Sequence, residues 1–315
     1  MNTIPLVSII LPNYNYAEYL DQRIQSLLDQ TFRDFELIII DDASSDSSAE
    51  VIKKYESDKR IKTFFHKKNS GVTYKRWNEG AELSVGKYLL FAGADDSCES
   101  TLLEKLVEKL DSNKTAGLAY AQSWEINSAG KKIRTLKFGT DFLDKERWKK
   151  DFTDKGKNEC YYLLFQNTIP NASAVLMRRK NFFESGKFDE SLLILADWLL
   201  WFRILLKSDV AFIAEPLNYY RKHSVSVCNK SVRQGISVDE RYRLTSYILK
   251  HLKVPKEVSE QIFENQMNIW TRRIISKEMK IPIKRNLDIY RSSRHLDPKT
   301  NVRFIKKMIK NLMKK

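Results

Sequence analysis

Cysteine is scarce in this chain of 315 residues: Cys98, Cys160 and Cys228 lie far apart, and no Cys-x-x-Cys pair occurs. That excludes a disulfide framework and a cysteine-built zinc site, and it implies reduced thiols in a cytosolic setting. Histidine is almost as sparse. The four present include no second His at helical spacing from His223, so a histidine zinc site is excluded as well. Ten Gly and seven Pro are too few for a linker-rich or low-complexity chain, and there is no internal repeat. Long apolar runs are also missing. The densest, residues 192–206, is interrupted by Asp197 and Arg203, and is too short and too charged to span a bilayer. Residues 1–12 lack the basic start and long apolar core of a secretory signal. The expectation is a cytoplasmic protein that crosses no membrane.

Charge is plentiful but uneven. The net charge is +15, yet the first 228 residues hold 33 Lys/Arg against 32 Asp/Glu, while residues 229–315 hold 22 against 8. The basic character belongs to the C-terminal segment and not to the body. A uniformly basic nucleic-acid-binding domain would look different, so no nucleic-acid partner is expected.

The first hundred residues alternate in a regular way. Leu6-Val7-Ser8-Ile9-Ile10-Leu11 and Phe35-Glu36-Leu37-Ile38-Ile39-Ile40 read as buried parallel strands, residues 61–66 and 87–91 as a third and a fourth. Helical spacing fills residues 19–30, 49–55 and 73–83. Such alternation predicts a parallel sheet with right-handed crossovers and helices on both faces. From about residue 120 the pattern is mixed: residues 161–166, 180–184 and 197–206 read as helices, 174–177 and 210–213 as strands. From residue 239 several basic helices follow, broken at Pro255 and Pro282. The division expected is a catalytic domain over 1–228 and a basic α-helical region over 229–315.

Ligands of such sheets bind beyond the carboxyl ends of the strands, and there the sequence gathers Pro12-Asn13-Tyr14-Asn15, Asp41-Asp42 and Asp95-Asp96. Asp95-Asp96 can seat Mg²⁺ or Mn²⁺, hard ions that take one or two carboxylates beside a diphosphate; it can equally be a capped turn before the helix that starts near Leu102. Asp42 can accept from a base imide or a ribose hydroxyl, or belong with Asp46 and Ser47 to simple helix capping. Arg76 suits a diphosphate, or is a salt-bridged helix residue. Asp197 opens a strongly apolar helix. Partial burial would raise its pKa, as suits a general base, and an acid at a helix start also complements the dipole. Tyr219-Tyr220-Arg221-Lys222-His223 forms an aromatic and basic cluster.

Taken in order, these pieces resemble glycosyltransferase family 2. The matching segments are Val7-Ser8-Ile9-Ile10-Leu11-Pro12-Asn13-Tyr14-Asn15, then Gln30-Thr31-Phe32 through Ile40-Asp41-Asp42-Ala43-Ser44-Ser45-Asp46, then Asn69-Ser70-Gly71 with Trp77-Asn78-Glu79-Gly80. Gly86-Lys87-Tyr88, Ala94-Asp95-Asp96, Asn171-Ala172-Ser173, Asp197-Trp198 and Asn218 to His223 complete the set. The match covers roughly seven-tenths of the chain. Each segment alone is weak, and the ordered set is specific. The resemblance implies an α/β GT-A (Rossmann-like) fold: a mostly parallel central sheet flanked by helices, here with a helical basic C-terminal extension. It further implies a bacterial enzyme in which a nucleotide-sugar, of the UDP type, gives up its sugar to a saccharide or lipid-linked acceptor during cell-surface polysaccharide synthesis.

The resemblance also distributes roles. Pro12, Tyr14 and Asp42 match positions that hold the base and ribose, with Asn15 beside them. Arg76 matches a donor-contacting Arg, although its Arg-Trp-Asn spacing differs from the commoner Arg-Asn. Asp95 matches a ribose contact, Asp96 a ligand for Mg²⁺ or Mn²⁺, and His223 a C-terminal His that completes the metal site. Asp197 matches the catalytic base, with Trp198 on the acceptor side, and the family's single displacement inverts the anomeric carbon. Many members carry a further Asp two residues before the acidic pair, where this chain has Gly93. The alternatives are a nucleotidyltransferase-like enzyme, which lacks its Gly-rich, Lys-containing phosphate loop here, and a non-catalytic nucleotide-sugar-binding relative, against which Asp95, Asp96 and Asp197 argue. Residues 301–315 set Val302, Ile305, Met308, Ile309 and Leu312 on one side of a basic helix. That face either meets an anionic membrane surface, which would place the protein peripherally on the inner face of the cytoplasmic membrane, or packs on the catalytic domain.

Overall fold

In the computed structural model, which describes residues 4–223, 234–276 and 281–313, the two apolar runs become adjacent parallel strands, β1 (Val7–Asn13) and β2 (Phe35–Asp41). All seven residues of each are buried. Both faces are covered, so an unbroken apolar run is the expected pattern rather than alternation. Each fully buried Ile or Leu contributes about 1.5–3 kcal/mol. The polar residues within these strands satisfy one another: the Ser8 hydroxyl donates to the Glu36 carboxylate at 2.6 Å, which Lys62 reaches at 2.7 Å, and at the strand ends Asn13 pairs with Asp41.

The chain divides into two compact units, Met1–Glu190 with Leu200–His223, and Ser191–Leu199 with Ser224–Lys315. In the first, α1 (Ala17–Leu28), α2 (Ser48–Lys53), β3 (Ile61–Phe65), α3 (Thr73–Leu83) and β4 (Tyr88–Phe91) continue the alternation. Helix α1 buries Leu20, Ile24, Leu27 and Leu28 at helical spacing. Helix α3 comes so close to β1 that a Cβ on Gly80 would lie 2.3 Å from Ile10 Cγ2, which is why glycine stands there. Trp77 of that helix joins Phe91, Phe182 and Phe188 in an aromatic cluster with centroids 4.8–5.6 Å apart.

After β5 (Ser97–Cys98) and α4 (Leu102–Ser112) come β6 (Ala116–Ile126), β7 (Lys132–Thr135), β8 (Phe152–Asp154), α5 (Gly156–Leu163), β9 (Val175–Arg178), α6 (Arg179–Glu184), α7 (Ala196–Leu205) and β10 (Asp209–Arg221). The sheet runs β3-β2-β1-β4-β9-β6-β10-β5, with β7 on β6 and β8 on β10. β1 pairs in parallel with β2 and β4, and β6 with β10; β9 runs antiparallel between β4 and β6. Strand β10 extends well beyond the segment 210–213 that its apolar residues mark. Pro216 interrupts the pattern, and register shifts on both sides of it let the strand continue to Arg221. That continuation brings the start of the aromatic and basic cluster, Tyr219 to Arg221, alongside the end of β6.

The second unit contains α8 (Ile236–His251), α9 (Lys256–Ile275), α10 (Ile283–Leu296) and α11 (Thr300–Leu312). Pro255 and Pro282 stand immediately before α9 and α10, where a missing N–H does no harm. The core of this unit is Val238, Tyr242, Met267, Trp270 and Ile289, with Phe304 packed against it. Among the described residues no helix is long and apolar enough to cross a membrane.

Candidate active site

The order β3-β2-β1-β4 reverses direction between β1 and β4, since β2 and β3 extend to one side and the chain then crosses to the other. Crevices at such reversals, beyond the carboxyl ends of the strands, are where α/β sheets take ligands. Here the end of β4 leads through Ala92-Gly93-Ala94 into Asp95-Asp96. Asp96 is buried, and its carboxylate accepts from the Ser173 hydroxyl at 2.6 Å, the Asn171 amide at 3.2 Å and the Arg221 backbone N–H at 3.0 Å. Burial, and then the neighbouring Asp95 charge, push its pKa up to about 6 against the lowering effect of the Arg23 guanidinium and of the Ser173 and Arg221 bonds. Arg23 is itself fully buried, and its charge also acts on the Cys98 thiol.

Asp95 faces outward more than its neighbour does. Its carboxylate lies 2.9 Å from His223 Nε2, a contact that raises the imidazole above its ordinary pKa while burial opposes. Tyr16 and Tyr19 flank the His223 ring, with centroids 5.7 and 5.4 Å away. Arg221 ties the turn down from behind: its Nε donates to the Asp95 carbonyl at 2.7 Å, its other nitrogens reach the Asn127 and Ser128 carbonyls and Gln22, and its guanidinium covers the Tyr19 ring. At Gly93 a Cβ would sit 3.0 Å from Asp96 Oδ2, 3.2 Å from Asp95 Oδ1 and 3.3 Å from Ser173 Oγ. This position is closely walled by both carboxylates.

At the ends of β1 and β2 the candidate donor residues hold one another. Asp42 accepts from Arg76 Nε at 2.6 Å and from the Ser70 hydroxyl and N–H at 2.6 and 3.0 Å. Arg76 reaches Glu79 at 2.6 Å, and Glu79 reaches His66 at 2.9 Å. Both Asp42 and Arg76 are buried, so this chain of charges fixes the 69–72 turn on the sheet edge. Asn15 is in the left-handed region at φ 58, and its side-chain oxygen accepts from the Ser45 N–H at 2.7 Å, while Asn13 Nδ2 donates to Asp41 at 2.8 Å. Pro12 is buried in β1; Tyr14 is 43% exposed and offers an open ring at that edge.

Asp197 and Trp198 lie in the second unit, at the start of α7. Asp197 is half-buried, and its Oδ1 accepts from the Trp198 N–H at 2.7 Å. Trp198 is only 2% exposed, with the Arg241 guanidinium 4.7 Å above its ring; burial lowers that guanidinium to about 10. The turn that leads into Asp197 is held by one group. The buried Glu240 carboxylate, from α8, accepts three successive backbone N–H groups, of Leu193 at 2.6 Å, Ile194 at 3.0 Å and Leu195 at 2.9 Å. Glu240→Ala leaves three donors without their acceptor and is expected to cost about 3 kcal/mol. The measurement is thermal unfolding. Glu240→Gln, which keeps one acceptor oxygen, should fall between the variant and the parent, and an unchanged Tm for Glu240→Ala would show that the turn stands without it.

The geometry thus joins Asp95 with His223, Asp96 with Ser173 and Asn171, and Asp42 with Arg76. It adds Arg221, Ser173, Arg23 and Glu240, to which sequence reasoning gave no role. Ser173 and Arg221 stood within the quoted segments Asn171-Ala172-Ser173 and Asn218 to His223; Arg23 and Glu240 had no local signal. Among the described residues no three His, Cys, Asp or Glu groups converge as a ready-made metal cage.

A mixed sheet with an acidic turn at its reversal point defines an α/β protein whose ligand crevice is expected beyond the carboxyl ends of its strands. The chain belongs to glycosyl transferase family 2, whose sequence pattern matches residues 8–182. An uncharacterized glycosyltransferase of Haemophilus influenzae is 30% identical over 272 residues, 82% of this chain and 80% of its own length. One from Rickettsia felis is 30% identical over 215 residues, 68% of this chain; the match spans 33% of that longer relative. A putative teichuronic acid biosynthesis glycosyltransferase, TuaG of Bacillus subtilis, is 38% identical over 108 residues, 34% of this chain and 42% of its own. Among solved structures, S. aureus TarS 1–349 in complex with UDP superposes with a TM-score of 0.64 at 16% identity, covering 96% of this chain and 88% of its own. The mannosyltransferase PcManGT from Pyrobaculum calidifontis, in complex with GDP-Man and Mn²⁺, gives 0.60 at 13% identity, covering 100% and 89%. At these identities the structures bear on the fold alone, and the fold is GT-A: a mixed α/β sheet flanked by helices, with a helical C-terminal region, as the sequence resemblance implies.

Proposed function

We propose that this protein transfers a sugar from a nucleotide-sugar donor, of the UDP type, to a hydroxyl of a saccharide or lipid-linked acceptor, with inversion at the anomeric carbon, in bacterial cell-surface polysaccharide synthesis. The observation that carries the reading is the Asp95-Asp96 turn. It stands at the reversal point of the sheet, is braced by Ser173, Asn171 and Arg221, and has His223 2.9 Å from Asp95. Family membership supports the same chemistry.

In this reading the open ring of Tyr14 and the Pro12 edge receive the base. Asp42 addresses the base or ribose, with Arg76 and Ser70 fixing its carboxylate and Asn15 fixing the 44–46 turn beside it. Asp95 faces the ribose and diphosphate side. Asp96 and His223 are the residues that would hold Mg²⁺ or Mn²⁺. The chemistry of the acidic pair suits such an ion, since hard divalent cations take one or two carboxylates beside a diphosphate; His223 rests on Asp95, and the Asp96 carboxylate, held by Ser173, Asn171 and the Arg221 N–H, would exchange one of these bonds for the ion. When bound, the ion supplies positive charge that neutralises the departing nucleoside diphosphate.

The remaining chemistry falls to Asp197. Its carboxylate takes the proton of the acceptor hydroxyl while that oxygen bonds to the anomeric carbon, and the bond from that carbon to the diphosphate oxygen breaks. One displacement from the opposite face inverts the centre. Trp198, packed beneath Arg241, backs Asp197 on the acceptor side, and Glu240 fixes the turn before it. The test of the donor site is calorimetric titration of the full chain with UDP, GDP, CDP and dTDP in the presence of Mn²⁺. One of them should bind and be lost in Asp95→Ala; binding of none would reject the site.

A further inference from the structure

Helix α11 is amphipathic, yet it presents its faces in the reverse of the usual order. Toward α9 it turns Arg303, which is buried and paired with Glu260, Glu264 and, at 2.7 Å, Asp297. On the same side Lys307 meets Glu264 at 2.6 Å, Asn311 donates to Thr271 at 3.0 Å, and the Phe304 ring lies 5.1 Å from that of Trp270. Outward, at spacings of three and four residues, stand Val302 (69% exposed), Ile305 (60%), Ile309 (54%) and Leu312 (54%). A surface helix normally buries its apolar stripe and leaves its charges in water. Here the charges anchor the helix and the apolar stripe is left uncovered. Exposed Lys306 and Lys310 border that stripe.

We infer that the outward face of α11 is a docking surface for an anionic lipid bilayer, with the isoleucines entering the headgroup boundary and the bordering lysines meeting the lipid charge. Charge complementarity selects this occupant. Residues 229–315 carry 22 Lys/Arg against 8 Asp/Glu, so pairing the face with a second copy would bring like charge against like, whereas an anionic surface neutralises it. Burying an apolar stripe while matching basic flanks to acidic headgroups is how interfacial helices bind.

The test is flotation of the full-length chain with vesicles of phosphatidylglycerol and phosphatidylethanolamine, and with phosphatidylcholine alone. The wild type should float with the anionic vesicles and not with the neutral ones. Ile305→Gln combined with Ile309→Gln should lower the bound fraction at least ~10-fold; both side chains are more than half exposed, so its Tm should match the parent's. Lys306→Gln with Lys310→Gln should weaken binding and flatten its dependence on salt. No flotation of the wild type, or equal flotation of the isoleucine variant, overturns the inference. So does a concentration-dependent dimer, seen by sedimentation without lipid, that the isoleucine variant abolishes. None of these readouts depends on sugar transfer, so this inference and the proposed activity stand or fall separately.

Discussion

Asp197→Asn is expected to lower kcat about 10³-fold while leaving nucleotide binding and Tm close to those of the parent. A positioned general base contributes typically 10²–10⁴-fold, and the amide keeps the shape of the carboxylate but cannot take the acceptor's proton. Asp197 Oδ1 accepts the Trp198 N–H, a bond that the amide oxygen of Asn preserves, so folding of the turn should be spared. The comparison that matters is between turnover and donor affinity, measured by steady-state transfer and by calorimetry on the same preparation. Equal loss of both would mean that the residue shapes the site and does not act in the chemical step. Full turnover in the variant would remove Asp197 from the role of base.

Asp96→Ala is expected to do more harm, because it strikes a buried network and the proposed donor site together. The side chain accepts from Ser173, Asn171 and the Arg221 backbone, and it is a nearby negative charge for the fully buried Arg23 guanidinium. Its removal leaves three donors without their acceptor and takes away a negative charge that Arg23 acts on, a change expected to cost about 3 kcal/mol. Chemical denaturation should show that loss, and nucleotide binding should disappear with it. Asp96→Asn separates the two effects: its side-chain oxygen still accepts one of these bonds, so more stability should survive than in the alanine variant, whereas metal-assisted donor binding should not return. An alanine variant as stable as the parent would contradict the network.

How much of this was legible in the sequence depended on the range of the interaction. Strands β1, β2 and β4 are short unbroken apolar runs covered on both faces, and such runs need no partner to be recognised. The acidic pairs at their ends followed, since the chain direction alone puts Asp41-Asp42 and Asp95-Asp96 on the carboxyl edge. Strand β6, Ala-Gly-Leu-Ala-Tyr-Ala-Gln-Ser-Trp-Glu-Ile, gave no such signal, because its small residues carry neither clear periodicity nor β-branching. Pro216 made β10 look short. The pairing of Asp42 with Arg76, 34 positions apart, and that of Asp96 with Arg221, 125 apart, are tertiary facts to which local pattern is blind. Residues 192–206 read as the densest apolar run, with a helix from 197, and nothing in it set residues 191–199 apart. Their association with the C-terminal unit rests on contacts made more than forty positions further on: Glu240 with the 193–195 N–H groups, Arg241 over the Trp198 ring and Arg243 with Ser191. The amphipathic character of α11 was plain, but which face turns inward was not, since the answer lies in Glu260, Glu264 and Asp297 meeting Arg303.

The central claim, sugar transfer from a nucleotide-sugar, is tested most directly by incubating the full-length protein with Mn²⁺ or Mg²⁺ and a panel of nucleotide sugars, with bacterial saccharide and lipid-linked acceptors supplied, and detecting released nucleoside diphosphate. The account predicts release from one donor, abolished by chelator and in Asp96→Ala, and reduced about 10³-fold in Asp197→Asn. Release that persists at the parent rate in both variants, or the absence of release from every donor together with the absence of any nucleoside diphosphate binding, would contradict it.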